Sequence, residues 1–154
     1  MVGAPSNGSV TAAPDLPGLV PELLVADLAR SFEFWCGLVG FDVLYSRPEE
    51  RFAMLKLEGA AVMLEQQQPG TRQWLTGDLV APLGRGLNLQ IAVPSAQAIL
   101  DRLAAARWPL FMDPEEKWYR AGGVELGVRQ FLVQDPDGYL LRPAESLGTR
   151  AARG

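Results

Sequence analysis

The chain has no histidine and only one cysteine, Cys36, in 154 residues. Without histidine there is no Ser-His-Asp triad, no Cys-His dyad, no His-ligated zinc and no imidazole base. A lone cysteine excludes an intrachain disulfide and any CxxC redox or zinc motif. Residues 1–18 carry neither a basic opening nor an apolar stretch of the kind that directs export. Together with the single thiol, this points to the cytoplasm. Positive charge is also scarce. Fourteen lysines and arginines face 18 acidic residues, for a net charge of −4. No basic stripe is present for nucleic-acid phosphates, whereas the acidic balance suits a cationic ligand. No apolar run reaches the roughly 18 residues that a membrane helix needs. Any chemistry must come from carboxylates, Lys, Arg, Tyr, Ser, Thr or the backbone, and no cofactor is expected.

What is present is ordinary for a globular chain, with 48% hydrophobic and 21% charged residues. Residues 1–18, with Pro5, Pro14 and Pro17, read as a flexible arm. Val20–Ala26 reads as a strand, and Asp27 sits where a helix N-cap belongs. Leu28, Phe32, Trp35 and Leu38 follow at helical spacing, closed by Gly37 and Gly40. Phe41–Ser46 alternates like a strand, and Arg51–Leu57 with Ala61–Glu65 reads as a hairpin turning at Glu58-Gly59. Residues 67–85 form a punctuated connector that nonetheless carries Trp74. The order then repeats. Leu87–Val93 is a strand, Ser95 caps a helix ending near Arg107, and Leu110–Met112 starts another strand. A long loop is expected at Asp113–Gly123, followed by a hairpin of Val124–Val133 and Tyr139–Glu145 around Asp135-Pro136-Asp137-Gly138. The reading is α+β: two βαβββ modules over 19–66 and 86–147, with a tail over 148–154.

A doubled βαβββ unit with DPDG late in the chain resembles the vicinal oxygen chelate superfamily of glyoxalases, extradiol dioxygenases and bleomycin-resistance proteins. The stretches that carry the resemblance are VPELLVADLARSFEFWCGLVGFDVLY and VRQFLVQDPDGYLLR. It implies two curved half-barrel sheets enclosing a cavity, where the enzymes of the group hold a metal. On that resemblance the ligand positions fall at Val20, within Val62–Glu65, at Asn88 and at Arg142. Val20 and Asn88 replace histidines and Arg142 replaces a glutamate. A guanidinium cannot ligate a divalent ion and repels one. The bleomycin-resistance branch is the nearer likeness, through Val20-Pro21, the aromatic run Phe32–Trp35 and Arg129. It implies a metal-free homodimer that sequesters a large cationic compound. The branch stacks tryptophans on its drug, but Gln90 and Gly127 stand at those positions here.

Alternation assigns faces. Leu23 and Val25 pack toward the first helix, so Val20, Glu22 and Leu24 face the cavity; Asn88, Gln90 and Arg142 join them from the second module. Glu22 and Arg142 either grip a ligand or neutralise each other as a structural pair. Trp35 and Trp108 read as packing residues, and Cys36 as a small hydrophobe. Trp74, Trp118 and Tyr119 fall outside predicted elements, and a planar ligand stacked on them is the concrete expectation. Arg51 and Arg129 read as anchors for a loop carboxylate such as Asp135. The leading function is metal-free binding of a planar, cationic small molecule at Glu22, Asn88, Gln90, Arg142, Trp74, Trp118 and Tyr119. The alternatives are a metal-free lyase or isomerase with Glu22 as base, a metalloenzyme with atypical ligands, and a module serving only protein contacts.

Overall fold

In the computed structural model, residues 12–153 are described. The expected N-terminal arm therefore lies mostly outside the described residues. Its last part is held, because Leu16 packs on the first sheet and the Asp15 carbonyl accepts from Lys56 Nζ at 3.4 Å. The chain divides into two compact units, Met1–Leu79 and Val80–Gly154.

The first unit contains β1 (Glu22–Val25), α1 (Leu28–Phe32), β2 (Asp42–Arg47), β3 (Phe52–Leu57) and β4 (Ala60–Gln66). Its open sheet runs in the order β1-β4-β3-β2, with β1 parallel to β4 and the other pairs antiparallel. Asp27 caps α1 by accepting from the Ala29 and Arg30 N–H groups, satisfying donors that the helix cannot. Past Phe32 the helix widens into a π-helical segment over Glu33–Val39. Gly40, at φ 102°, closes it, and the Trp35 carbonyl accepts from both Gly40 and Phe41. Phe34, Trp35 and Val39 of this segment face inward together. Trp35 is fully buried, as its spacing suggests, with Phe34 and Phe41 edge-on to its ring. The sheet is apolar on both faces of β3. Ala53 and Leu55 share one face, while Phe52 and Met54 meet Ala61, Val20, Leu44 and Met63 on the other.

The second unit repeats the order: β5 (Asn88–Ala92), α2 (Ala96–Ala105), β6 (Met112–Ala121), β7 (Val124–Gln134) and β8 (Leu140–Ala151), with sheet order β5-β8-β7-β6. Ser95 caps α2, and Glu145 adds a second acceptor to the Ala96 N–H at 2.8 Å. Ile99 and Leu103 on α2 are buried, as are Ile91, Phe131, Val133 and Leu141 on the strands. The DPDG turn is built on buried Asp135, whose carboxylate accepts from the N–H groups of Asp137 at 3.0 Å and Tyr139 at 2.9 Å. Gly138 sits at φ 99°, and a Cβ there would lie 2.4 Å from the Pro82 side chain, so only glycine fits.

Three expectations are corrected. Asp113–Gly123 is not a loop but most of edge strand β6, whose outward charges hid its periodicity. Pro114 falls at a register shift between Met112 and Glu115, where a bulge tolerates its missing N–H. The supposed tail over 148–154 is strand as far as Ala151, which pairs with Val124. Arg129 anchors Gln97 Oε1 at 2.8 Å rather than Asp135, because the turn's own N–H groups occupy that carboxylate.

Candidate functional site

In the first unit, strand alternation places Glu22 and Leu24 of β1, Met63 and Glu65 of β4, Phe52 of β3, and Tyr45 and Arg47 of β2 around one cavity of about 780 Å³. Glu22 lies opposite Met63, and Leu24 opposite Glu65, so the two carboxyl groups are diagonal neighbours across a parallel pair. They come within hydrogen-bonding reach of each other. Burial raises the Glu22 pKa above its ordinary 4.5, the hydrogen bond and charge of Glu65 raise it further, and Arg47 opposes the shift. A carboxyl group beside a carboxylate retains its proton because ionising both costs more than ionising one.

The connector completes this site. Gln68, Thr71, Arg72, Gln73 and Trp74 line the cavity. Gln73 Nε2 donates to Glu65 Oε1 at 3.0 Å and to the Gln66 carbonyl at 2.9 Å. Its Oε1 accepts from the Gln68 N–H at 3.1 Å. Glu65 is thereby fixed in position. Arg47 pairs with Glu50 at 2.5 Å and stacks 3.8 Å above the Phe52 ring. Trp74 is 77% exposed, with the Arg72 guanidinium 5.1 Å from its ring centre. Four carboxyl groups, those of Glu22, Glu49, Glu50 and Glu65, line the cavity against the two guanidinium groups of Arg47 and Arg72. The balance favours a cation.

The other sequence-predicted residues lie in the second unit. Asn88 and Gln90 are exposed on edge strand β5, and Arg142 on β8 lies opposite Gln90. The Tyr119 oxygen accepts from Gln130 Nε2 at 2.6 Å. Trp118 is not an open stacking surface. Its ring rests on Gly127, where an added Cβ would lie 2.6 Å from it, and the Arg150 guanidinium stacks at 4.1 Å. The structure thus gathers Glu22 and Trp74 in one cavity, and Asn88, Gln90, Arg142 and Tyr119 in the other unit. Reading from sequence missed Tyr45, Arg47 and Gln73. Tyr45 and Arg47 follow the alternation of β2 and were legible; the return of Gln73 onto β4 left no periodic signal.

The model of the glyoxalase/bleomycin resistance protein/dioxygenase superfamily matches residues 19–142. The chain belongs to this superfamily. A superfamily member from Vibrio splendidus 12B01 is 35% identical, covering 82% of this chain and 95% of its own, with a TM-score of 0.37. TioX from Micromonospora sp. ML1 is 24% identical, covering 84% and 98%, with a TM-score of 0.63. Virulence protein STM3117 from Salmonella typhimurium is 16% identical, covering 82% and 93%, with a TM-score of 0.62. No curated protein matches.

Metal-dependent members of the superfamily need ligating side chains that this chain does not supply. Val20 offers no donor and packs on the apolar cluster of Phe52, Met54 and Ala61. Asn88 offers a neutral amide and Arg142 a cation. Among the described residues, no three His, Cys, Asp or Glu side chains converge as metal ligands would. One carboxylate at Glu65 does not make a transition-metal site. The donor set does not fit the superfamily's metal.

Proposed function

We propose that this protein binds a planar cationic small molecule in the cavity of its first unit and sequesters it without turnover, in the manner of the bleomycin-resistance branch. The observation that carries this reading is the Glu22–Glu65 carboxyl pair facing an aromatic-lined cavity of about 780 Å³. That volume suits a drug-sized ligand. The carboxyl pair attracts a positive charge, and Trp74 offers an exposed ring for stacking. We further propose a cytoplasmic homodimer, since open sheets leave strand edges for a second copy to cover; light scattering tests the assembly.

A thermal-shift screen over glycopeptide drugs and planar aromatic cations tests the ligand class. A ligand at 100 times its Kd adds about 2.7 kcal/mol of stability. Stabilisation by cations that weakens with salt supports the proposal. Stabilisation only by anions, or by nothing in the panel, counts against it.

The raised proton affinity of Glu22 favours one second reading, a metal-free lyase or isomerase with Glu22 as general base. It requires turnover that Glu22→Gln abolishes. Tight binding without turnover across a broad substrate panel excludes it.

A further inference from the structure

The cavity of the first unit already holds a planar cation of the protein's own. Arg47 of β2, Phe52 of β3 and Glu65 of β4 lie in register across the sheet, each opposite the next. Residues paired in this way project from one face, and all three line the cavity. The guanidinium carbon of Arg47 stands 3.8 Å from the centre of the Phe52 ring, and Arg47 Nε donates to Glu50 Oε2 at 2.5 Å. A ring on which a planar cation would stack is therefore covered by one, and the carboxylate beside it is engaged.

Of these three groups, Arg47 is the one free to move. The Arg47 and Glu50 side chains remain 41% and 55% exposed. At such exposure an ion pair holds by about fivefold at most, and a cation–π contact by a similar factor. Phe52 is fixed by packing, being only 3% exposed. The turn that carries Glu50 is fixed by the connector and β4. The Glu50 carbonyl accepts from Gln68 Nε2 at 2.9 Å, and the Arg51 carbonyl accepts from the Gln66 N–H at 3.0 Å. Arg47 can swing outward on its long side chain while the ring and the carboxylate keep their places.

The subsite under Arg47 has a defined chemistry: an aromatic face with a carboxylate at its edge. Amidinium and guanidinium groups are flat and carry N–H groups around their rims, so they satisfy both at once. A quaternary ammonium has the charge but neither the flat face nor the N–H.

We propose that Arg47 is a built-in stand-in for the ligand, and that the ligand's charged group is an amidinium or guanidinium that displaces Arg47 from Phe52 and takes over Glu50. The proposal rests on the cation-binding reading above and narrows it to planar cations bearing N–H groups.

The test compares 2-naphthamidine with (2-naphthyl)trimethylammonium, which match in ring and charge, by titration calorimetry. The wild-type protein should bind the amidine more tightly. Arg47→Ala should widen that preference by about fivefold, since both probes gain alike from the lost positive charge but only the amidine gains the ring and Glu50 together. Glu50→Gln added to Arg47→Ala should remove the widening. In isotope-labelled wild-type protein, saturating amidine should move the Arg47 Nε–H signal in NMR spectra toward its position in Glu50→Gln. An unchanged preference in Arg47→Ala, or an unmoved Arg47 signal with amidine bound, overturns the displacement and leaves the cation site standing. Failure of both probes to bind either protein overturns the cation site and this proposal with it.

Discussion

Glu22 should couple cation binding to proton release. In the free protein its carboxyl holds a proton above the ordinary 4.5, because burial and the neighbouring Glu65 both disfavour its charge. A cation seated against the pair reverses that preference and drives the proton off. The sign follows: affinity rises with pH from about 4.5 through the raised pKa, then levels. The size is bounded in two ways. Release of one proton limits the slope to tenfold per pH unit. The gain across the window is the attraction of one further carboxylate, about 1 kcal/mol at 4 Å in water-like surroundings. Glu22 is only partly withdrawn from water and still meets solvent at the cavity wall, so the water-like value applies rather than that of a dry interior. That corresponds to about fivefold. The assay is a fluorescence titration with an N-methylacridinium ion, whose fixed charge cannot itself titrate, at pH 4.5 to 8 and constant ionic strength. Glu22→Gln should flatten the rise. A pH-independent affinity in the wild-type protein, or an equal rise in Glu22→Gln, refutes the reasoning.

The same carboxyl group links pH to folding. Its folded pKa is raised, so its contribution is present below the unfolded value and lost as pH rises through the folded one; urea denaturation from pH 4 to 8 should show stability falling across that window, less steeply in Glu22→Gln. Asp135→Ala should cost about 2–4 kcal/mol in urea denaturation, since two turn N–H groups lose their acceptor in a buried setting. Gly127→Ala should cost about 1–3 kcal/mol by overpacking against the Trp118 ring. Calorimetry should register this as a fall in Tm of about 2–4 °C per kcal/mol. Cys36 should resist alkylation by iodoacetamide at pH 8, because burial and nearby Asp42 push its thiol pKa up to about 11; modification as fast as that of free cysteine contradicts the burial argument.

The doubled βαβββ order was legible because short apolar strands, capping residues at Asp27 and Ser95, and the DPDG turn are local signals. Glu22 was legible as a cavity residue because β1 alternates strictly, with Leu23 and Val25 buried. Strand β6 was hidden, since an edge strand with solvent on both sides has no apolar period to read. Trp118 misled for a related reason. An aromatic residue in a charged stretch reads as exposed, yet its place is set by Gly127 across the strand pair and by Arg150 from β8. Gln73 could not be found from sequence at all, because its role depends on where an irregular segment returns to the sheet.

That return has a consequence for where the first module ends. By secondary structure it ends with β4 at Gln66. By hydrogen bonding it does not, since the amide that steadies Glu65 comes from Gln73. A half-protein cut after Gln66 would keep every strand of its sheet yet leave Glu65 free to swing. A shortened or lengthened connector would alter how Glu65 is held in the cavity while the strands stayed the same. In any splitting, fusion or grafting of this scaffold, residues 67–74 travel with the first sheet as part of its cavity wall.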